Sequence, residues 1–150
     1  MQKICNECGG LIVDVDVCRD YLNKMIVWDF EDFSGVGQIH HLTVLCYQLQ
    51  HPSSYSQRGL EDAKSFLVEF VDKNVSFEEH DKRNREKLSS AVRNWKITGT
   101  HEDHGKYKSV VDWKITAGDV VQAGLSEYVE NVKKWSRSIL NTLRESGNLS

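Results

Sequence analysis

Apolar residues recur at helical spacing through most of the 150-residue chain, and this periodicity limits the fold more than any other feature. The single proline, Pro52, and the lack of linker-like, low-complexity or repeated segments leave long uninterrupted stretches. The length suits one domain with a continuous core. We therefore predict a single all-α domain over residues 1–150, a four- to five-helix bundle, in which residues 1–14 form a small N-terminal zinc knuckle packed on the helical body.

The apolar pattern and its breaks predict the individual helices. The fourth of them is mostly charged and is expected to be peripheral. Residues 97–115 lack a helical period and are interpreted as a loop with a short extended piece at 109–113. Asn74 and Gly147 are placed just beyond helix ends. The predicted helices span residues 15–32, 36–50, 56–73, 77–95, a short stretch from the capping-box pattern Thr116–Asp119 to about Ala123, and 126–145.

Charge and hydropathy exclude several classes of protein. The balance of 19 Lys+Arg against 22 Asp+Glu gives a net charge of −3, so no nucleic-acid partner is expected. Lys133, Lys134 and Arg137 form a basic group on the last helix, interpreted as a solvated face. No apolar run approaches the ~20 residues that cross a bilayer, and the N-terminus lacks a signal peptide's apolar segment. We expect a cytoplasmic protein with no membrane partner.

The four cysteines indicate a metal site in a reducing compartment. Cys5-Asn-Glu-Cys8 has metal-binding spacing, and the following Gly-Gly lets the backbone bend around an ion. A redox dithiol would have the same spacing, but the pair lies at the N-terminus, outside a βαβ context. Metal ligation is therefore the preferred interpretation.

The second predicted helix contains the segment HHLTVLCYQLQHP, residues 40–52, with three histidines. His40 and His51 lie ~16 Å apart along a helix axis, so only one of them can share an ion with the cysteines. Cys18 lies 16 residues before Ser34, in the predicted turn, and His51 lies 17 residues after it. In an antiparallel helix pair, this places Cys18 beside His51.

We therefore predict that zinc is the cofactor and that the metal ligands are Cys5, Cys8, Cys18 and His51. Three thiolates and one imidazole form a closed structural shell. Cys46 falls on the apolar face of the second helix and is expected in the core. His41 is expected on a solvated face.

Several segments together resemble an uncharacterised bacterial family, a domain of unknown function. The resemblance implies a small cytosolic protein whose cysteines and QHP histidine bind metal, and it implies no activity. The chain departs from the family pattern at Leu45, where an acidic residue is frequent, and at Tyr128, where a histidine is frequent, which puts in doubt any site that draws on the last helix. The matching segments are Cys5-x-x-Cys8-Gly9, Cys18, HxLTVxxYxxQHP from His40 to Pro52, Ile115-Thr116-x-x-Asp119-Val120 and Val132-x-x-Trp135.

Two classes of function are open at this point. The first is a binding or regulatory module with a structural zinc ion and an unknown protein or small-molecule partner. The alternative is a metal-dependent enzyme, a hydrolase or transferase, with a pocket near His40, Thr43 and Tyr47. This alternative allows a second metal at His101 and His104. The sequence contains no standard catalytic motif, and His40 is interpreted first as a hydrogen-bonded core histidine rather than as a catalytic or second-metal residue. Whether the protein is an enzyme is therefore left open.

Overall fold

The computed structural model describes residues 3–31, 36–75, 79, 99 and 104–149. They contain a two-stranded antiparallel sheet in which Lys3 pairs with Ile12 and Ile4 with Leu11. A 3-10 turn, Pro52–Ser54, follows the second helix. The elements whose bounds are described are β1 (Lys3–Ile4), β2 (Leu11–Ile12), α1 (Arg19–Glu31), α2 (Val36–Leu49), α3 (Gln57–Val71), α4 (Ala117–Gln122) and α5 (Tyr128–Glu145).

The predicted all-helical fold is confirmed, with α2 at its centre. Helix α2 packs against α1, α3 and α5, and α4 lies against α1 and α5. This explains why apolar residues cover most sides of α2, whereas a surface helix has a single apolar stripe. The largest fully buried side chains are Trp135, Tyr21, Leu22, Met25, Leu42, Leu49, Leu60, Leu67, Ile139, Leu140, Leu143 and Gln50.

Helix α1 begins four residues later than predicted, at Arg19. The Asp20 carboxylate accepts hydrogen bonds from the backbone N–H groups of Asp16 and Val17, both at 3.1 Å. This carboxylate holds the preceding residues in a loop, because acidic side chains satisfy backbone donors better in turns than in helix interiors. The loop leaves Cys18 directly before the helix.

The other helix ends follow the sequence signals closely. Ser56 caps α3 by accepting the Gly59 N–H at 3.0 Å. Asn74 adopts a left-handed φ of 53° beyond that helix, and Gly147 a φ of 80° beyond α5. At α4 the Asp119 carboxylate accepts the Thr116 N–H at 2.9 Å, which confirms the returning contact of the predicted capping box.

Two predicted features of the middle of the chain have different outcomes. Apart from Glu79, the predicted helix 77–95 lies outside the described residues. The extended piece predicted at 109–113 forms no strand, because the nearby backbone N–H groups of Lys108 and Ser109 bond to the Asn148 side chain at 2.8 and 3.2 Å.

Among the described residues, no helix is long and apolar enough to cross a membrane.

Candidate metal centre

The N-terminal cysteines lie in the loop that joins β1 to β2. The Cys5 N–H donates to the Gly10 carbonyl and the Gly9 N–H donates to the Cys5 carbonyl, both at 2.9 Å. Gly9 has a φ of 73°, which a side chain would disfavour. The Gly10 N–H points at the Cys8 Sγ at 3.4 Å. This tight loop turns the two sulfurs toward the same point.

The other members of the cluster come from the ends of α1 and α2. Cys18 lies at the start of α1, and His51 follows α2 directly. Pro52 forces His51 out of the helical region, with φ −129° and ψ 68°, so its side chain leaves the face that α2 would otherwise give it. The two helix ends and the knuckle therefore meet at one corner of the bundle.

The four side chains lie close enough together to hold one ion. The Cys5 Sγ lies 3.4 Å from the His51 Nε2, and the Cys8 Sγ lies 3.8 Å from the Cys18 Sγ. All four candidate ligand atoms fall within 4.8 Å of one another. Tetrahedral zinc with bonds of about 2.3 Å to sulfur and 2.0 Å to nitrogen separates its ligand atoms by roughly 3.5–3.8 Å. The 3.4 and 3.8 Å separations match those of such a site, and the 4.8 Å limit keeps the four atoms within reach of one ion.

A backbone contact fixes which nitrogen of His51 can bind a metal. The His51 Nδ1 lies 2.6 Å from the Tyr47 carbonyl oxygen. A carbonyl only accepts hydrogen bonds, so Nδ1 carries the proton and Nε2, the atom that faces Cys5, is left as the possible ligand. The Tyr47 ring stacks on the imidazole with centroids 3.9 Å apart and fixes its plane.

The electrostatics of the cluster favour a cation. Hydrogen bonds with Cys18 and Cys8 lower the pKa of the Cys5 thiol, whereas the bond with Cys5 raises the pKa of Cys18. Burial lowers the pKa of His51, but the hydrogen bonds that His51 donates to Cys5 and Cys8 outweigh burial and raise this pKa to about 10. Neighbouring thiols resist ionising together unless a positive charge compensates them. A divalent ion would supply that charge and displace the shared protons.

Contacts outside the cluster attach the knuckle to the bundle. The Tyr21 hydroxyl, on α1, accepts the Val13 N–H at 2.7 Å. The Glu7 carboxylate accepts the Ser53 N–H at 3.1 Å. A Cβ added at Gly10 would lie 2.7 Å from the Thr116 Oγ1 at the start of α4. The knuckle therefore contacts α1, the turn after α2, and α4.

Replacing Gly10 with alanine is expected to lower the free energy of unfolding by about 1–3 kcal/mol, because the added methyl overlaps Thr116. Chemical denaturation measures the change. The double variant Gly10→Ala/Thr116→Ala is the control, and it should recover part of the loss because it removes the overlapping atoms. No recovery would contradict the close approach.

Cys46 lies apart from the cluster. It is fully buried in the core, as predicted, and burial raises the pKa of its thiol. All four cysteines are free of disulfides. Cys46 is therefore an inert packing residue and a natural control for the other three.

The residues proposed around His40 separate into two places. Tyr47 stacks on His51 at the metal centre. Thr43 is buried in the middle of α2, where its hydroxyl lies 2.9 Å from the Tyr128 hydroxyl. The His40 Nδ1 lies 3.0 Å from the Asp29 carboxylate. The structure therefore joins His40 and Thr43 to Asp29 and Tyr128, two residues that the sequence had not assigned to a site.

Asp29 is a buried carboxylate with several hydrogen-bond donors. Its Oδ1 accepts the Tyr128 hydroxyl at 2.6 Å, and its Oδ2 accepts from His40. Burial raises the pKa of Asp29, while the bonds from Tyr128 and His40 oppose that rise. Burial and the bond to Asp29 raise the pKa of Tyr128, so the phenol keeps its proton and donates it.

Replacing Tyr128 with phenylalanine should lower the free energy of unfolding by about 1–3 kcal/mol, because Asp29 Oδ1 would lose its short hydrogen bond. Thermal and chemical unfolding measure the loss. Tyr47→Phe is a matched control, since the Tyr47 hydroxyl bonds to none of the described residues and its removal should change stability by at most about 0.5 kcal/mol. Equal losses in both variants would contradict the role given to Tyr128.

A second metal at His101 and His104, raised only with the enzyme alternative, receives no support from the described residues. His101 lies outside them. The His104 Nδ1 lies 3.1 Å from the Gly105 carbonyl. Within the described ranges, the only group of three or more His, Cys, Asp or Glu side chains close enough for a metal is the Cys5, Cys8, Cys18 and His51 cluster.

Fold and site together define a small, mostly helical protein with a Cys3His cluster that can hold a metal ion. Residues 3–144 match the model of a family of unknown function (DUF5946), and the chain belongs to that family. The expected membership of an uncharacterised family is thus confirmed. Comparisons with curated proteins and with solved structures found no match.

Proposed function

We propose that Cys5, Cys8, Cys18 and His51 bind one structural zinc ion and that the protein is a binding or regulatory module. The observation that carries the proposal is the convergence of two distant segments, in which the Tyr47 carbonyl holds the His51 Nε2 toward the Cys5 sulfur. A hydrogen bond from one imidazole nitrogen to a carbonyl oxygen leaves the other nitrogen unprotonated, which is the tautomer that a metal requires.

The donor set favours zinc over other divalent metals. Thiolate ligands are soft, and a tetrahedral shell of three sulfurs and one nitrogen is typical of structural zinc. Magnesium and calcium prefer oxygen ligands, none of which belongs to the cluster. Four protein ligands leave no position for water or substrate, so the ion acts by holding the knuckle on the bundle.

A reducing compartment is part of this proposal. Zinc thiolates compete with disulfide formation, and all four thiols are free. We therefore propose a cytoplasmic protein whose partner is a protein or small molecule. Nucleic acid is not proposed as a partner, because the net charge is −3.

Elemental analysis of the protein purified without added metal tests the assignment. We expect one zinc per chain in the native protein and in the control Cys46→Ala, whose cysteine lies in the core. Cys5→Ser should lose the ion. Zinc retained in Cys5→Ser, or native protein free of zinc, would contradict the proposal.

An enzyme with its site near His40 is the second candidate. It is favoured by the Asp29–His40 pair, in which a buried carboxylate holds an imidazole that lines a cavity. The metal-dependent form of this candidate lacks support, because none of the described residues forms a metal cluster there.

A further inference from the structure

A cavity of about 320 Å³ lies between α2 and α3. This volume falls at the small end of the range for ligand pockets, roughly 300–1,000 Å³. Its walls include Val44, Leu45, Tyr55 and Phe66, so most of a ligand's surface would meet apolar atoms. His40 stands at one edge of the cavity.

The contact with Asp29 determines what His40 offers to the cavity. The Asp29 side chain is fully buried and its carboxylate accepts the His40 Nδ1–H at 3.0 Å. In the neutral imidazole, Nε2 then carries a lone pair, and no hydrogen bond joins this atom to a described residue. The His40 side chain is 23% exposed and lines the cavity.

The Asp29 carboxylate is itself held in place on both oxygens. Tyr128 donates to Oδ1 at 2.6 Å, and the Tyr128 hydroxyl also contacts Thr43 at 2.9 Å. A buried carboxylate is costly unless such partners satisfy it. A core histidine that needed only a partner could use a backbone carbonyl. Here three side chains from three helices, Asp29, Tyr128 and Thr43, hold one imidazole that lines a cavity.

The charges around the cavity limit the ligand further. Asp62, on α3, lines the same cavity. The described lining residues include no lysine or arginine. The Asp62 carboxylate would therefore repel an anionic ligand, and no lysine or arginine among the described lining residues would offset that repulsion. A neutral or cationic ligand would not be repelled.

We infer that this cavity binds a small neutral or cationic molecule with an apolar body and a hydroxyl group, whose proton is donated to the His40 Nε2. Asp62 favours the cationic members of this class. Asp29 is a positioning residue, since it touches His40 and sets its tautomer. The inference is independent of the zinc proposal, because none of Cys5, Cys8, Cys18 and His51 lines this cavity.

Three compounds of similar size test the inference on the intact, purified protein by NMR titration. Tyramine carries a phenol, an aromatic ring and an ammonium group; phenethylamine lacks the hydroxyl, and 4-hydroxyphenylacetate replaces the ammonium with a carboxylate. We expect tyramine to shift the resonances of Leu45 and Ala63, which line the cavity. It should bind at least about fivefold more tightly than either analogue, the size of one net hydrogen bond or charge contact.

Two variants separate hydrogen bonding from shape. His40→Phe should bind tyramine and phenethylamine equally. Asp29→Asn presents an amide N–H to Nδ1, which moves the imidazole proton to Nε2. The phenol then can only accept from Nε2, and because a phenol oxygen is a weak acceptor the preference for the hydroxyl should fall while the protein stays folded. The ¹⁵N spectrum of His40 reports that tautomer directly. Failure of tyramine to bind, or equal affinity of the native protein for tyramine and phenethylamine, would overturn the inference, whatever the zinc content.

Discussion

Replacing Cys8 with serine is expected to remove the metal and to lower the free energy of unfolding by at least about 3 kcal/mol. Apparent zinc-binding energies in small zinc domains are about 10–16 kcal/mol and appear as folding energy. Cys8 is buried, and its sulfur lies 3.8 Å from that of Cys18. A serine oxygen fits this space but is a poor zinc ligand. The packing change is therefore small beside the lost coordination.

Cys46→Ala is the control for that experiment, because both cysteines are buried and only Cys8 belongs to the cluster. We expect the control to keep its zinc and to lose about 1–2 kcal/mol from the missing sulfur. Chemical denaturation with metal analysis of the same samples compares them. Equal losses of stability, with zinc present in both variants, would show that Cys8 is only a packing residue.

Replacing Trp135 with alanine is expected to cost about 3–5 kcal/mol through a different cause, the cavity left in the core. Trp135 is completely buried on α5, and its indole N–H has no hydrogen-bond partner among the described residues. Its contribution is therefore packing alone. The variant should keep one zinc per folded chain, because α5 supplies no ligand.

Trp28→Ala is the matched control for Trp135. Trp28 is only partly buried and packs edge-to-face on Tyr128 with centroids 5.3 Å apart. We expect a smaller loss, about 1–2 kcal/mol. A Trp135 variant as stable as the Trp28 variant would mean that the described core is wrong.

The Cys3His cluster was predictable because an antiparallel helix pair brings together residues that lie nearly equal numbers of positions before and after the connection between the helices. In sequence numbering, Cys18 and His51 are centred between positions 34 and 35, and so are Asp29 and His40. Two antiparallel helices of equal rise bring such pairs together. The same rule would have found Asp29 had it been applied to His40, and this was the missed signal.

Other features could not be read from periodicity. The late start of α1 depends on Asp20 turning back to two backbone N–H groups, a local contact that competes with the helix. Tyr47 has helical spacing from both His40, seven residues before it, and His51, four residues after it. Periodicity alone does not choose between them, and the structure places the Tyr47 ring on His51.

Zinc K-edge X-ray absorption of the protein purified without added metal tests the central claim most directly. We predict zinc bound to three sulfurs at about 2.3 Å and one imidazole nitrogen at about 2.0 Å. These ligands would be Cys5, Cys8, Cys18 and His51. A shell with fewer than three sulfurs, or with a water oxygen as fourth ligand, would contradict a closed structural zinc centre.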